Sequence, residues 1–177
     1  MENYTKVVLY AYPFLQTAEK DYEDHIRNKA ILSFDSSVPA ENLAEYIAEE
    51  ILQKQRLKWL KGVIERAIGK LSDVEKTLVA IRYFGKRRKI HVYRRQNELQ
   101  SGTRNRGWSE RMYFRHQQKL GDKIGGLLKL EGLTADVYER DFQSVEFISK
   151  IHNFVQEGRD RKISVGEREW LRIRIKD

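Results

Sequence analysis

A chain of 177 residues with 40% apolar and 11% aromatic residues has enough hydrophobic content for a core, so its 34% charged residues do not mark it as disordered. The absence of cysteine excludes disulfides, thiolate zinc sites and cysteine nucleophiles. The net charge is +8, and no apolar run approaches the ~20 residues that a membrane span needs, so no membrane association is expected.

The N-terminus has one early lysine, then aromatics and acids, with no small-residue cleavage site. A secretory signal is therefore not expected, and the predicted location is cytoplasmic. Proline occurs only at 13 and 39, and helical periodicity runs through most of the chain, which predicts an all-α fold. Val8, Tyr12, Leu15, Tyr22, Ile26 and Ala30 recur at three-, four- and seven-residue steps and mark the apolar stripe of a first helix. Pro13 either kinks this helix or marks its late start. Ser33 to Val38 reads as a turn, and Pro39 suits the first turn of a second helix, with Glu41 near the positive end of its dipole. The second helix carries Leu43, Ile47, Ile51, Leu57, Leu60, Ile64 and Ile68 and is expected to reach about Lys70. Two long helices joined by a short loop predict an antiparallel hairpin over residues 1–70.

Ser72 followed by Glu75 forms a capping box, in which each side chain satisfies a free backbone N–H at a helix start. The helix that follows shows Val74, Leu78, Ile81 and Phe84 on one face and is expected to stop at Gly85. A short basic helix is expected from Arg88 to Leu99, although Val92 and Tyr93 also tolerate a strand. Residues 101–107, with two glycines and an asparagine, read as a loop. Ser109 is a cap for a further helix through Tyr113, Leu120 and Ile124 to Leu128, whose second half Gly121, Gly125 and Gly126 should weaken. Thr134 caps a helix to Phe142, another spans Val145 to Val155, and Ser164 with Glu167 makes a second capping box ahead of Trp170. The expected organisation is thus a helical hairpin (1–70), a helix-turn-helix unit (71–130) and a small C-terminal helical extension (131–177).

Charge is distributed very unevenly over these elements. Residues 86–119 hold eleven Lys/Arg against Glu98 and Glu110, a local net charge of +9, and the other 143 residues sum to −1. A solvated helical surface would intersperse the signs, so the clustering implies a polyanionic partner, nucleic acid before anionic membrane. The order of elements over 72–128 is that of a helix-turn-helix: supporting helix, first helix, turn, recognition helix. On the last helix, Tyr113, Leu120, Ile124 and Leu127 share a face that would pack against Leu78, Ile81 and Phe84. Arg111, Arg115, Gln118 and Lys119 lie on the other face, where arginine suits guanine acceptors and glutamine an adenine edge. Arg87, Arg88, Lys89, Arg94 and Arg95 are placed for phosphates, and Arg104 and Arg106 in the loop are further expected nucleic-acid-binding residues. Ser109 opens a helix N-terminus, whose free N–H groups welcome a phosphate oxygen.

The run Leu71-Ser-Asp-Val-Glu-Lys-Thr-Leu-Val-Ala-Ile-Arg-Tyr-Phe-Gly85 resembles the opening helix of the promoter-reading fourth region of bacterial sigma factors. Trp108-Ser-Glu-Arg-Met-Tyr-Phe-Arg115 is similar to the start of that family's recognition helix. Together they resemble the small sigma-like regulators of phages and mobile elements of ArpU or RinA type, which also place helices ahead of the sigma-like unit. The resemblance covers residues 71–128 and implies double-stranded DNA binding and transcription regulation; no cofactor or metal is expected from the residues themselves. Two departures stand out: the first helix of the motif lacks the family's Glu-Ile-Ala signature, and the connecting loop, 100–107, exceeds the usual turn of about three or four residues.

Two other functional readings fit the same sequence: a helical adaptor that binds RNA polymerase or a sigma factor, and a sequence-nonspecific DNA- or RNA-binding protein. The wide stripes on the N-terminal helices also suit a homodimer, which would give two-fold DNA recognition. An enzyme is not expected, because no nucleophile–base pair, metal set or phosphate loop stands out. His25, His91, His116 and His152 are scattered, Gly121 to Gly126 is no phosphate loop, and Asp160 to Glu167 lacks the alternating oxygen ligands of a calcium loop. Trp108 either anchors the recognition helix in the core or stacks on nucleic acid, and Trp59 is read as core or interface.

Overall fold

The computed structural model describes residues 2–32, 40–84 and 110–158; side chains at 32, 40, 41, 81 and 110–114 lie outside the description. Every regular element among these residues is an α-helix: α1 (Asn3–Leu32), α2 (Ala40–Gly69), α3 (Asp73–Tyr83), α4 (Glu110–Leu130), α5 (Ala135–Asp141) and α6 (Glu146–Gln156). The expected turn at 33–38, the basic helix 88–99, the loop 101–107, the Ser109 cap, Trp108 and the Ser164–Glu167 box lie outside the described residues.

α1 is the central element. Its first turns are apolar on nearly every side, and Tyr4, Thr5, Val7, Val8, Leu9, Tyr10, Ala11 and Leu15 are all buried. A helix with apolar residues all round has to be surrounded, and α1 is: α2 pairs along it, and α4 and α6 pack on it. The helix begins ten residues ahead of Pro13 and runs through it. The bond that a residue-13 N–H would make to the Leu9 carbonyl is lost, a defect outweighed by tertiary packing on both sides. Burial of each large side chain here contributes about 1.5–3 kcal/mol. The alternative of a late start thus gives way to a start at Asn3.

α2 pairs with α1 through Leu57, Leu60, Val63, Ile64 and Ala67, all fully buried. Its first half is different: Ile51 and Leu52 are exposed, Leu43 and Ile47 half-buried. The two long helices form a hairpin with a buried proximal half and an exposed distal half. Trp59 stacks on Phe142, with ring centroids 6.0 Å apart and planes 5° apart, and keeps 39% of its surface exposed.

α3 starts at the expected capping box: Ser72 N–H donates to Glu75 Oε2 (2.9 Å) and Glu75 N–H to Ser72 Oγ (3.4 Å). Its buried face is Leu78, Val79 and Tyr83, whereas Val74, assigned to the apolar face from spacing, is exposed. Tyr83 decides this rotation by packing edge-on against Tyr10, centroids 4.8 Å apart, while Phe84 lies against Tyr12 at 4.9 Å.

α4 ends in a Schellman motif. Gly132 takes φ +92°, Leu133 N–H donates to Leu128 O (2.9 Å) and Gly132 N–H to Lys129 O (3.0 Å), and Leu133 and Leu128 are both buried beside the turn. Thr134 then caps α5, its hydroxyl accepting from Val137 N–H. One continuous core gathers buried residues from all six helices, with Tyr4, Tyr138, Tyr10 and Phe154 as its aromatic joints.

Candidate nucleic-acid interface

α4 is where the basic segment joins the folded core. Burial falls on Gln117, Leu120, Gly121, Ile124 and Leu128, a three- and four-residue rhythm that lays one face against α1 and α2. The glycines expected to weaken this helix do not interrupt it. Gly125 instead sits close to α1: a Cβ there would stand 3.5 Å from Thr5 Oγ1. Each glycine costs about 1 kcal/mol of helix propensity, less than the contribution of a single buried leucine or isoleucine on the same helix.

Ion pairs hold α4 at both flanks. Lys123 Nζ donates to both oxygens of Glu75, at 2.8 Å each, which ties α4 to the capped end of α3. Burial would raise the Glu75 carboxyl, but hydrogen bonds from Lys123 and from Ser72 outweigh it and hold it below the ordinary carboxylate value. Lys129 reaches Glu2 at 2.9 Å. Just past the helix, Glu131 accepts from Arg66 Nε and Lys70 Nζ, 2.6 Å each, and these two hydrogen bonds lower its pKa.

The outward face of α4 carries Arg115, Gln118 and Lys119 together, all exposed, as their spacing implied. Arg111 lies on the α4 backbone one turn earlier, and its side chain falls outside the description. Arg87, Arg88, Lys89, Arg94, Arg95, Arg104, Arg106 and Ser109 lie outside the described residues. Two details of the expected inner face change. Leu128 takes the fully buried place, with Leu127 half-buried, and the inner face lies mainly on the hairpin rather than on α3. Gln117 is a buried polar side chain on this face that sequence reasoning passed over; its three-residue step to Leu120 was the available signal.

His152 and His25 have local, structural surroundings. His152 Nδ1 lies 2.9 Å from the Tyr138 hydroxyl, whose pKa burial pushes far upward, and His152 Nε2 lies 3.2 Å from Gln156 Nε2. His25 sits 3.9 Å from Glu50. Among the described residues no three His, Asp or Glu side chains converge as a metal set, and no helix is long and apolar enough to cross a membrane.

No family model, no curated protein and no solved structure matches this chain.

Proposed function

We propose that the chain is a DNA-binding transcription regulator of sigma-region-four-like type, with α4 as the reading helix. The observation that carries this is the two-faced character of α4. Its inner side is anchored in the core, while its outer side presents Arg115, Gln118 and Lys119, the end of a segment of net charge +9. Side chains on a rigid helix are held in one geometry, which base reading needs. Arg111, Arg115 and Gln118 are assigned to base edges, and Lys119 with Arg87, Arg88, Lys89, Arg94 and Arg95 to phosphates. Ser109, Arg104 and Arg106 are assigned to the nucleic-acid backbone as well.

Selection from a random duplex pool tests the reading. A preferred site should emerge, and binding to it should weaken steeply with salt. Arg115→Ala should cost about 1–3 kcal/mol of discrimination at one base position. Arg88→Ala should weaken all sequences alike and reduce the salt slope by about 1. A pool that returns no preferred site, with single-stranded DNA and RNA bound as well as duplex, would overturn sequence-specific reading.

A further inference from the structure

The middle of α2 carries an exposed apolar stripe whose flanking charge is segregated along the helix. Ala48, Leu52, Gln55 and Trp59 follow one another at three- and four-residue steps and are exposed, with Ile51 at the edge of the same face. Leu52 keeps 52% of its surface open and Ile51 40%. Beside Ile51 runs a shallow groove between the hairpin helices, lined by Glu23, Ile26, Ile51, Lys54, Gln55 and Lys58. Glu50 and Leu57, both buried, point the opposite way, toward α1, so this face is not the one that closes the hairpin.

The charges on α2 change sign near the centre of the stripe. Residues 42–50 hold Glu45, Glu49 and Glu50 and no Lys or Arg; residues 51–64 hold Lys54, Arg56, Lys58 and Lys61 and no Asp or Glu. Glu45, Glu49 and Arg56 also lie on one flank of the stripe, four, seven and eleven residues apart. Such a surface repels itself in a parallel pair and attracts itself in an antiparallel one. A two-fold axis beside Ile51 and Leu52 sets Arg56 of one copy between Glu45 and Glu49 of the other, twice over, with Leu52 packed at the axis.

We propose that this face of α2 binds a second copy of the chain, antiparallel, about a two-fold axis next to Leu52. The segment from Ala48 to Trp59 spans only ~17 Å of helix, below the extent of a standard interface. The pairing is therefore weak, with dissociation in about the micromolar range, and tunable by concentration. It rests on the hairpin alone and is independent of the DNA-binding reading.

Because the chain has no cysteine, single introduced cysteines report the register cleanly. Under mild oxidation of the full chain at about 100 µM, well above a micromolar dissociation constant, Leu52→Cys should cross-link to itself. Glu45→Cys should not, since two such positions lie ~20 Å apart along antiparallel helices, beyond the ~7 Å reach of a disulfide. Ala48→Cys mixed with Gln55→Cys should cross-link to each other. Sedimentation should show a dimer for the parent chain and a monomer for Leu52→Glu, with equal helical circular dichroism. Self-cross-linking at position 45 would mean a parallel pair and overturn the proposal, as would a parent chain that stays monomeric or a Leu52→Glu variant that stays dimeric. No nucleic acid enters these measurements, so the pairing and the DNA-binding reading fail separately.

Discussion

The two halves of the helical hairpin are built from similar amounts of sequence and end in opposite situations. In the proximal half, residues 3–15 of α1 and 57–69 of α2 are wrapped by α3, α4, α5 and α6 and supply twelve of the twenty-seven buried apolar residues described. In the distal half, 16–31 and 42–56, Glu50 is the single buried residue among the described side chains, and Ile31, Tyr46, Ile51 and Leu52 are exposed. Ala18 and Tyr22 still pack against the core, and polar ties hold the rest: Lys54 to Glu23 at 3.1 Å, Lys29 over the Tyr46 ring at 2.9 Å, and Glu50 Oε1 3.9–4.0 Å from His25 and Lys29. A two-helix seam alone cannot enclose a core; the proximal half is stable because a third and fourth helix close over it.

The largest expected difference between the halves is in truncation. Leu60→Ala, fully buried, should lose about 2–5 kcal/mol of unfolding free energy, and Leu52→Ala, at concentrations too low for pairing, about 0.5 kcal/mol or less. Denaturant titration measures both; equal losses would erase the distinction. Next in size is local opening. Amides of residues 45–54 should exchange with solvent at least about tenfold faster than those of 60–68, which are expected to open only with global unfolding. Dilution should sharpen that contrast if the distal half is covered by a second copy.

The smallest effect is in acid. Glu131 and Glu23 are both held below the ordinary carboxylate value, Glu131 first by its hydrogen bond from Arg66 and then from Lys70, Glu23 by its hydrogen bond from Lys54. A lowered folded-state pKa means stability that is present above about pH 4.5, the unfolded value, and lost as pH falls through the folded one. Thermal melts between pH 6 and 3 should therefore flatten more for Glu131→Gln, which removes the charge that pairs with Arg66 in α2 and with Lys70 just past it, than for Glu23→Gln. A larger flattening from Glu23→Gln would reverse the ranking of the two halves.

Much of the helical layout was legible before the structure. The Ser72–Glu75 box, the Thr134 cap and the long hairpin follow from local chemistry, because caps and periodicity act within a few residues. The near-continuous apolar run from Val7 to Leu15 is the pattern of a surrounded helix, although the three- and four-residue steps within it also fit a single stripe. Less could be read where distant residues decide. The rotation of α3 that buries Tyr83 and exposes Val74 depends on Tyr10, more than seventy residues away. Gly125 gains its role from Thr5, and Trp59 its position from Phe142. At the candidate interface, sequence placed Arg115, Gln118 and Lys119 on one face because a helix has a fixed period; it passed over buried Gln117 because polarity argued for the outside.

By itself the sequence determined an all-helical chain, the sites where four of its helices begin or end, and a concentration of positive charge over 86–119. Those are properties of neighbours along the chain: backbone caps, residue spacing and the count of charges. Only the tertiary structure decided that α1 is the centre of the core, that α4 lies on the hairpin with its basic face outward, and that Glu50 is the one buried residue among the described side chains of the hairpin's distal half. These depend on which surfaces compete to exclude water, and that competition is settled between residues far apart in sequence.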